Sequence, residues 1–359
     1  MPESLSPMVI TRAPLRISLA GAGTGFPSYA ARYGGMAIDV TIDRYAYAMV
    51  SATTSPGVNV TTSDYEGLLE AYEAEYRDPF LPSTFPILQR FGITSGVSIF
   101  LTSEFPPRSG IGTPAGCSLA LIWALARLEG QALTRSEAAR IADAAQTNRL
   151  GLPAGGADVY AQALGGLTSA DISDDGVHSE ALAITDSVLN ELGARLMLFF
   201  TGRLQRDLRQ TEEIARGAER NRAIVIEGLH EIKNAAIDLR NALVRGELSL
   251  VGECLNRTWH ATRRLGPDMS DPWIDRWYEI GMKAGASGGK MNGLGAPGMM
   301  LLCCEPERQQ SVTIALQSAG LQRVGVSLER NGLELLLDQP TAFLRPPTPS
   351  FQRGGALRH

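Results

Sequence analysis

A chain of 359 residues is long enough for two domains, each with its own core. Its 44% hydrophobic and 20% charged content is that of an ordinary globular protein, and a net charge of −5 gives no electrostatic reason to expect nucleic acid or an anionic membrane as partner. Four cysteines, at 117, 254, 303 and 304, form no Cys-x-x-Cys pair and read as buried thiols of a reducing compartment. Met1–Pro7 has neither the basic nor the apolar region of a secretory signal and no apolar run reaches spanning length, so a cytoplasmic location is expected.

In chain order, Met8–Ile10 and Leu15–Leu19 are expected as strands, followed by the apolar runs Gly34–Ile42 and Tyr45–Ser51. Asp78–Gln89 has helical spacing interrupted by three prolines, and Val97–Leu101 is a β-branched strand. Cys117–Glu129 is an apolar helix and Ser136–Gly151 another, with Leu164–Ala170 closing the first half. From residue 193 the pattern changes. Arg195–Thr201 predicts a buried strand, and Gln205–Ala218, Arg222–Val244, Leu248–Thr262 and Pro272–Ala284 predict helices. Strands are expected at Gly298–Cys304 and Arg323–Leu328, with the helix Glu307–Ala319 between them. The result is an α+β chain of two lobes, 1–190 and 191–344, with 345–359 as a Pro- and Gly-bearing disordered tail.

Three glycine-rich segments stand out. In Arg12–Gly25 (RAPLRISLAGAGTG) a dinucleotide fingerprint fails, because Phe26 and Ser28 occupy the positions where a third glycine is needed. What remains is a tight turn leaving a strand: a plain connection, or backbone set close to a ligand at Gly23, Thr24 and Gly25. Pro106–Gly116 (PPRSGIGTPAG) precedes an apolar helix, so its N–H groups and the helix dipole converge on one point. Either it cradles phosphate, or Thr113 is simply a helix cap with Pro114 in the first turn. It is not a Walker A loop. Gly285–Gly298 (GASGGKMNGLGAPG) carries six glycines and Lys290, a density that favours close ligand approach.

Asp158 lies in a fourth glycine-rich stretch, Leu150–Gly166, as a turn residue or as the base for a substrate hydroxyl, with Arg16 available to keep it ionised. Arg263 and Arg264, beside Trp259 and His260, offer a basic helix face to a phosphate or are merely exposed. The four histidines show no metal-ligand spacing.

Together these segments resemble the GHMP kinases over roughly residues 8–335, and most of all the branch that phosphorylates heptose phosphates. The resemblance implies a ribosomal-S5-like first lobe and a ferredoxin-like second lobe, with substrate in the cleft between them. It implies Asp158 as catalytic acid position with Arg16 beside it. It implies Ser109, Gly110, Ile111, Gly112, Thr113 and Gly116 around the phosphates of ATP, with Mg²⁺ as the accompanying ion and Thr113 as its hydroxyl ligand. Arg12, Gly23, Thr24, Gly25, Tyr160, Gly289, Lys290 and Arg263 become substrate-binding candidates. The implied partner is a phosphorylated seven- or eight-carbon sugar or derived cyclitol, and a homodimer is admitted.

The sequence also departs from that pattern. Pro114 stands where relatives place a magnesium-binding serine, and neutral Gln146 where they place a glutamate. Gly25 replaces an acid, and Ala157-Asp158-Val159-Tyr160 replaces Gln-Asp-Gln-Tyr. Three functions follow as expectations. The first is ATP-dependent phosphorylation of a hydroxyl, the anomeric one. The second is ATP-independent isomerisation or proton abstraction on a sugar phosphate. The third is a metabolite-binding protein without turnover.

Overall fold

The computed structural model describes residues 7–62, 65–69, 81–150, 156–204, 209–294 and 297–339. The expected tail 345–359 lies outside these residues, as do 78–80 and 205–208 of two expected helices and Gly295 of the third glycine run.

The chain runs β1 (Met8–Ala20), α1 (Pro27–Tyr33), β2 (Gly35–Ala52), β3 (Val58–Thr62), β4 (Tyr65–Leu69), α2 (Leu81–Phe91), β5 (Val97–Ser103) and α3 (Thr113–Leu128). It continues through α4 (Arg135–Leu150), α5 (Ala157–Leu164), β6 (Leu167–Ser173), β7 (Gly176–Ala181), α6 (Asp186–Arg195), β8 (Leu196–Phe200), α7 (Arg209–Glu219) and α8 (Ala223–Arg245). It ends with α9 (Val251–Arg264), α10 (Pro272–Ala284), β9 (Gly288–Met291), β10 (Met299–Cys303), α11 (Gln309–Ser318), β11 (Gln322–Val324) and β12 (Glu334–Gln339).

Two expected pairs of strands are each one long strand. β1 carries Pro14 inside it, and the ladder with β2 shifts register between Pro14 and Leu15. That bulge accommodates a residue with no N–H to donate. β2 runs without a break through Asp43 and Arg44. The expected strand 323–328 is shorter, only Gln322–Val324.

An eight-stranded sheet has the order β12-β1-β2-β5-β3-β4, with the β6–β7 hairpin on β2; β3 and β5 pair in parallel. A four-stranded antiparallel sheet has the order β11-β8-β10-β9. β12 returns to pair with β1, so residues 334–339 belong to the first sheet although they follow the second in sequence.

Within the second sheet β8, β9 and β10 are buried on both faces. Leu196, Leu198, Met299, Leu301 and Cys303 join the core that β1, β2 and α3 share. Met197, Phe199, Met300 and Leu302 face the opposite way, onto Trp259, Trp277 and Leu316 of α9, α10 and α11. Strands covered on both sides need no polar alternation, which explains their unbroken apolar sequence. All four cysteines are buried thiols outside any disulfide. Among the described residues no helix is long and apolar enough to cross a membrane.

Candidate active site

The loop between β5 and α3 turns its carbonyls inward. Ser109 O accepts from the Met299 N–H at 3.1 Å, and Ile111 O accepts from the Arg16 N–H at 3.1 Å. Gly110 O accepts from Arg16 Nη1 at 3.0 Å and from Asn292 Nδ2 at 2.8 Å. Gly112 O accepts from Gln162 Nε2 at 3.1 Å and from the Gly116 N–H at 2.9 Å. A peptide unit is planar and trans, so holding one carbonyl inward aims the next residue's N–H outward. Among the described residues nothing accepts a hydrogen bond from the N–H groups of Gly110, Ile111 and Gly112. Three outward N–H groups at the N-terminus of the sixteen-residue α3 are an arrangement that can hold an anion, and its chemistry fits nucleotide phosphates.

The cap differs from expectation by one position. Gly112, at φ 80°, is the residue before the helix, and Thr113 already lies inside it. Glycine is needed at 112 twice over: its φ is left-handed, and a Cβ would stand 3.1 Å from the Gln162 amide.

Arg16 is the hub beneath the loop. Its Nη2 lies 3.7 Å from Asp158 Oδ2 and its Nε 3.5 Å from Asp39 Oδ1, an ion-pair distance without hydrogen-bond alignment. Asp158 sits in the first turn of α5, and its Oδ1 accepts from the Val159 N–H at 3.0 Å. Its side chain is 26% exposed, against 5% for Asp39. Burial pushes Asp39 up to about 6, although Arg16 and Lys290 pull the other way. Lys290 is fully buried and donates Nζ to Ser18 O at 2.7 Å. Burial, and then repulsion from Arg16, brings it down to about 7.

The three glycine segments therefore meet. Ser18 N–H donates to Asn292 Oδ1 at 2.9 Å, a Cβ on Gly23 would stand 2.8 Å from Leu294, and Met299 follows Gly298 into contact with Ser109. Other expected site residues have different work. The Thr24 hydroxyl is buried, bonded to Gly21 O and Met36 O and accepting from the Met36 N–H, so it staples the turn and offers nothing to a substrate. Gly25 is buried in the same turn. Arg12 pairs with Glu334 at 2.6 Å and lies over the Tyr45 ring at 3.9 Å, holding β12 to β1. Arg12 stands about 13 Å along the strand from Arg16, at the usual rise per residue.

Gly116 packs α3 closely onto Ala46 and Gln162, and Ile111 places its side chain in the core, leaving only backbone for the loop. The Ser109 hydroxyl is buried with no partner among the described residues. Gly289 is hydrogen-bonded to Asn256 at 2.9 Å and packed on Leu302, Arg263 pairs with Asp275 at 3.2 Å, and Tyr160 is half-buried against the main core. None of these three makes a hydrogen bond or ion pair with Arg16 or Asp158 among the described residues.

Four residues of the site escaped sequence reasoning: Asp39, Asn292, Gln162 and Asp143. Asp39 had a signal, an acid in the middle of the otherwise uncharged stretch Gly35–Ile42 of β2. Asp143, on α4, occupies the space beside Gly156, 2.5 Å from where a Cβ would be; burial and the nearby Asp158 push it up to about 6.

Residues 83–166, which contain this loop, Asp143 and Asp158, match the family model for the GHMP kinases N terminal domain. The chain carries a GHMP kinase N-terminal domain. It is 26% identical to a D-glycero-alpha-D-manno-heptose 7-phosphate kinase from Campylobacter jejuni, over 86% of this chain and 92% of that one. It is 24% identical to a mevalonate kinase from Thermococcus sibiricus, over 91% and 98%. Among solved structures it resembles a D-glycero-D-manno-heptose 1-phosphate kinase from Bacteroides thetaiotaomicron, with a TM-score of 0.74, 24% identity and coverage of 92% of this chain and 99% of that one. A mevalonate kinase from L. major matches with a TM-score of 0.68 and 20% identity over 89% and 95%. The expected α+β, two-lobed GHMP-kinase fold is the observed one.

Against that fold, the positions implied to hold Mg²⁺ do not suit it. Thr113 is 1% exposed and donates its hydroxyl to Phe105 O at 3.3 Å. Pro114 lies in the first turn of α3 with no hydroxyl. Gln146 is buried and neutral, with its Nε2 unpartnered. Among the described residues no three His, Cys, Asp or Glu side chains are grouped to hold a metal ion. These positions therefore offer no carboxylate: Pro114 has no side-chain oxygen, the Thr113 hydroxyl is engaged by Phe105 O, and Gln146 presents only a neutral amide.

Proposed function

We propose that this chain transfers a phosphoryl group from ATP to a hydroxyl, the anomeric one, of a seven- or eight-carbon sugar phosphate or derived cyclitol. The observation that carries this reading is one side chain: Arg16 contacts both the phosphate loop, at Gly110 O, and the carboxylate of Asp158. A donor phosphate and an acceptor hydroxyl are thereby registered to one cation. The likeness to kinases named for heptose 7-phosphate and heptose 1-phosphate supports the substrate class.

In this reading the loop N–H groups hold the phosphates of the nucleotide, which supplies the phosphoryl group. Asp158 Oδ2 accepts the proton of the acceptor hydroxyl, while the Val159 N–H fixes the other oxygen. Arg16, with Nη2 3.7 Å from Oδ2, orients Asp158 and balances its charge. Phosphoryl transfer depends on positioning and charge more than on covalent chemistry, so a preorganised cradle beside a fixed carboxylate is the arrangement it needs. The test is ADP release on a panel of heptose and octose phosphates, with the new phosphate located by ³¹P NMR. ATP binding without ADP release on any sugar would sink the transferase reading. Substrate conversion in nucleotide-free buffer would replace it with isomerisation.

A second reading, binding of a phosphorylated metabolite without turnover, is favoured by the chemistry at Thr113, Pro114 and Gln146. It predicts a rise in Tm with ADP and sugar phosphate but no product.

A further inference from the structure

Asn292, just after β9, is 3% exposed and anchored by its own N–H on Met299 O at 2.8 Å. Its side chain has two partners far apart in sequence. Oδ1 accepts from the Ser18 N–H at 2.9 Å, and Nδ2 donates to Gly110 O at 2.8 Å. Lys290, two residues earlier, takes the other polar group of Ser18, its carbonyl, at 2.7 Å. Ser18 is available for this because β12 covers that edge of β1 only from Met8 to Arg12.

A primary amide is the side chain that offers an acceptor and a donor in one rigid plane. One end of this amide is fixed on β1, so the other has a fixed reach to the loop. The Gly110 carbonyl and the Ile111 N–H share a peptide plane. Gly110 has a φ of 88°, in the left-handed region, and glycine leaves its peptide free to rotate unless something holds it. Arg16 Nη1 also binds this carbonyl, but its guanidinium is shared with Asp158 and Asp39.

We propose that Asn292 is a positioning residue for the phosphate loop: from the second sheet it fixes the Gly110–Ile111 peptide so that the Ile111 N–H faces the anion. Lys290 sets the register of β9 against β1, so loop geometry depends on how the second lobe docks. The inference rests on the loop being a phosphate cradle.

The experiment is calorimetric titration of the full chain with ADP and, separately, tripolyphosphate. Asn292→Ala removes both arms. Asn292→Asp keeps the acceptor for Ser18 but sets a carboxylate oxygen against Gly110 O. Both variants should lose about ten- to a hundredfold in affinity for each ligand, the range for a buried hydrogen-bond partner. Leu316→Ala, in the core beneath α11, is the control for lost stability: it should lower Tm yet leave both affinities within about twofold, since distant independent sites do not couple. Where Asn292→Ala does not fold, Asn292→Ser, with one hydroxyl for one arm, should show the same loss. Variants that bind like the wild type, at whatever Tm, would overturn the role of Asn292 and leave the cradle standing. A wild type that binds neither ligand would overturn the cradle and this inference with it.

Discussion

Arg16 and Asp158 stand 3.7 Å apart, Nη2 to Oδ2, while the same guanidinium donates to Gly110 O at 3.0 Å. One side chain therefore measures the distance between phosphate loop and carboxylate. Asp158→Asn keeps the shape of the side chain and removes its charge. It should lower turnover by about a hundred- to ten-thousandfold, the usual contribution of a proton acceptor. Tm and ADP affinity should stay near the wild-type values, because the loop is held from Arg16, Asn292 and Gln162. Steady-state kinetics with a thermal melt checks both, and turnover within tenfold of the wild type would remove Asp158 from the mechanism.

The positions that fail to suit magnesium offer a gain-of-function test. Gln146 is buried with an unpartnered Nε2, so Gln146→Glu alone places an uncompensated carboxylate there and should cost about 1–3 kcal/mol of stability. Pro114→Ser restores a hydroxyl in the first turn of α3. In the double variant with saturating ADP, added Mg²⁺ should raise Tm more than it does in the wild type. An equal rise in both proteins would mean that positions 114 and 146 do not face a common ion.

How much of this was legible in the sequence depends on which force fixed each part. β8 and β10 are buried on both faces, so their apolar runs announced them within a residue or two. β7 is mostly exposed and lies at the edge of its hairpin, and no apolar pattern marks it. The phosphate loop was visible because its glycines and the apolar helix after it are adjacent in sequence. Asp158 and Arg16, read together only from the motifs they stand in, lie 3.7 Å apart. The resemblance makes Lys290 a substrate-binding candidate, whereas its ammonium turns back onto Ser18 inside the protein. Asn292 carried no signal, since its two partners lie 274 and 182 residues away.

Gly298 gives a steric test of how the third glycine segment meets the second. A Cβ there would overlap the backbone carbonyl oxygen of Ser109, at a φ of 149°. The obstacle is main chain, so no side-chain rotation relieves it. Gly298→Ala should push Ser109 away from the Met299 N–H, cost about 1–3 kcal/mol in urea unfolding, and weaken ADP binding along with it. Gly320→Ala is the comparison, because it also has positive φ but open space around it, and it should cost stability without touching ADP affinity. Equal ADP affinity in both variants would show that the Ser109–Met299 contact does not shape the cradle.

Asp143 supplies a pH test. Burial, then the Asp158 charge, raises its pKa from 3.8 to about 6. The groups that act on it or feel it are Asp158 and Tyr160 on α5, and Arg140 lies on its own helix near Tyr160. A carboxyl with a raised folded pKa takes up a proton on folding, so its contribution is most favourable below about pH 4 and is lost as pH rises through about 6. Asp39 has the same sign over the same window, and Lys290, lowered to about 7 from 10.5, adds stability as pH rises above that value. Those two groups are common to wild type and Asp143→Asn, so the difference between the proteins isolates Asp143. Asparagine mimics the neutral acid, so the two should be nearly equal in stability at pH 4. By pH 7 the variant should be the more stable by about 1–2 kcal/mol, after allowance for the partial exposure of the carboxyl. Urea unfolding at four pH values across this window measures it. A difference that does not change with pH would mean Asp143 ionises as an ordinary surface acid, and that Asp158 does not share its pocket.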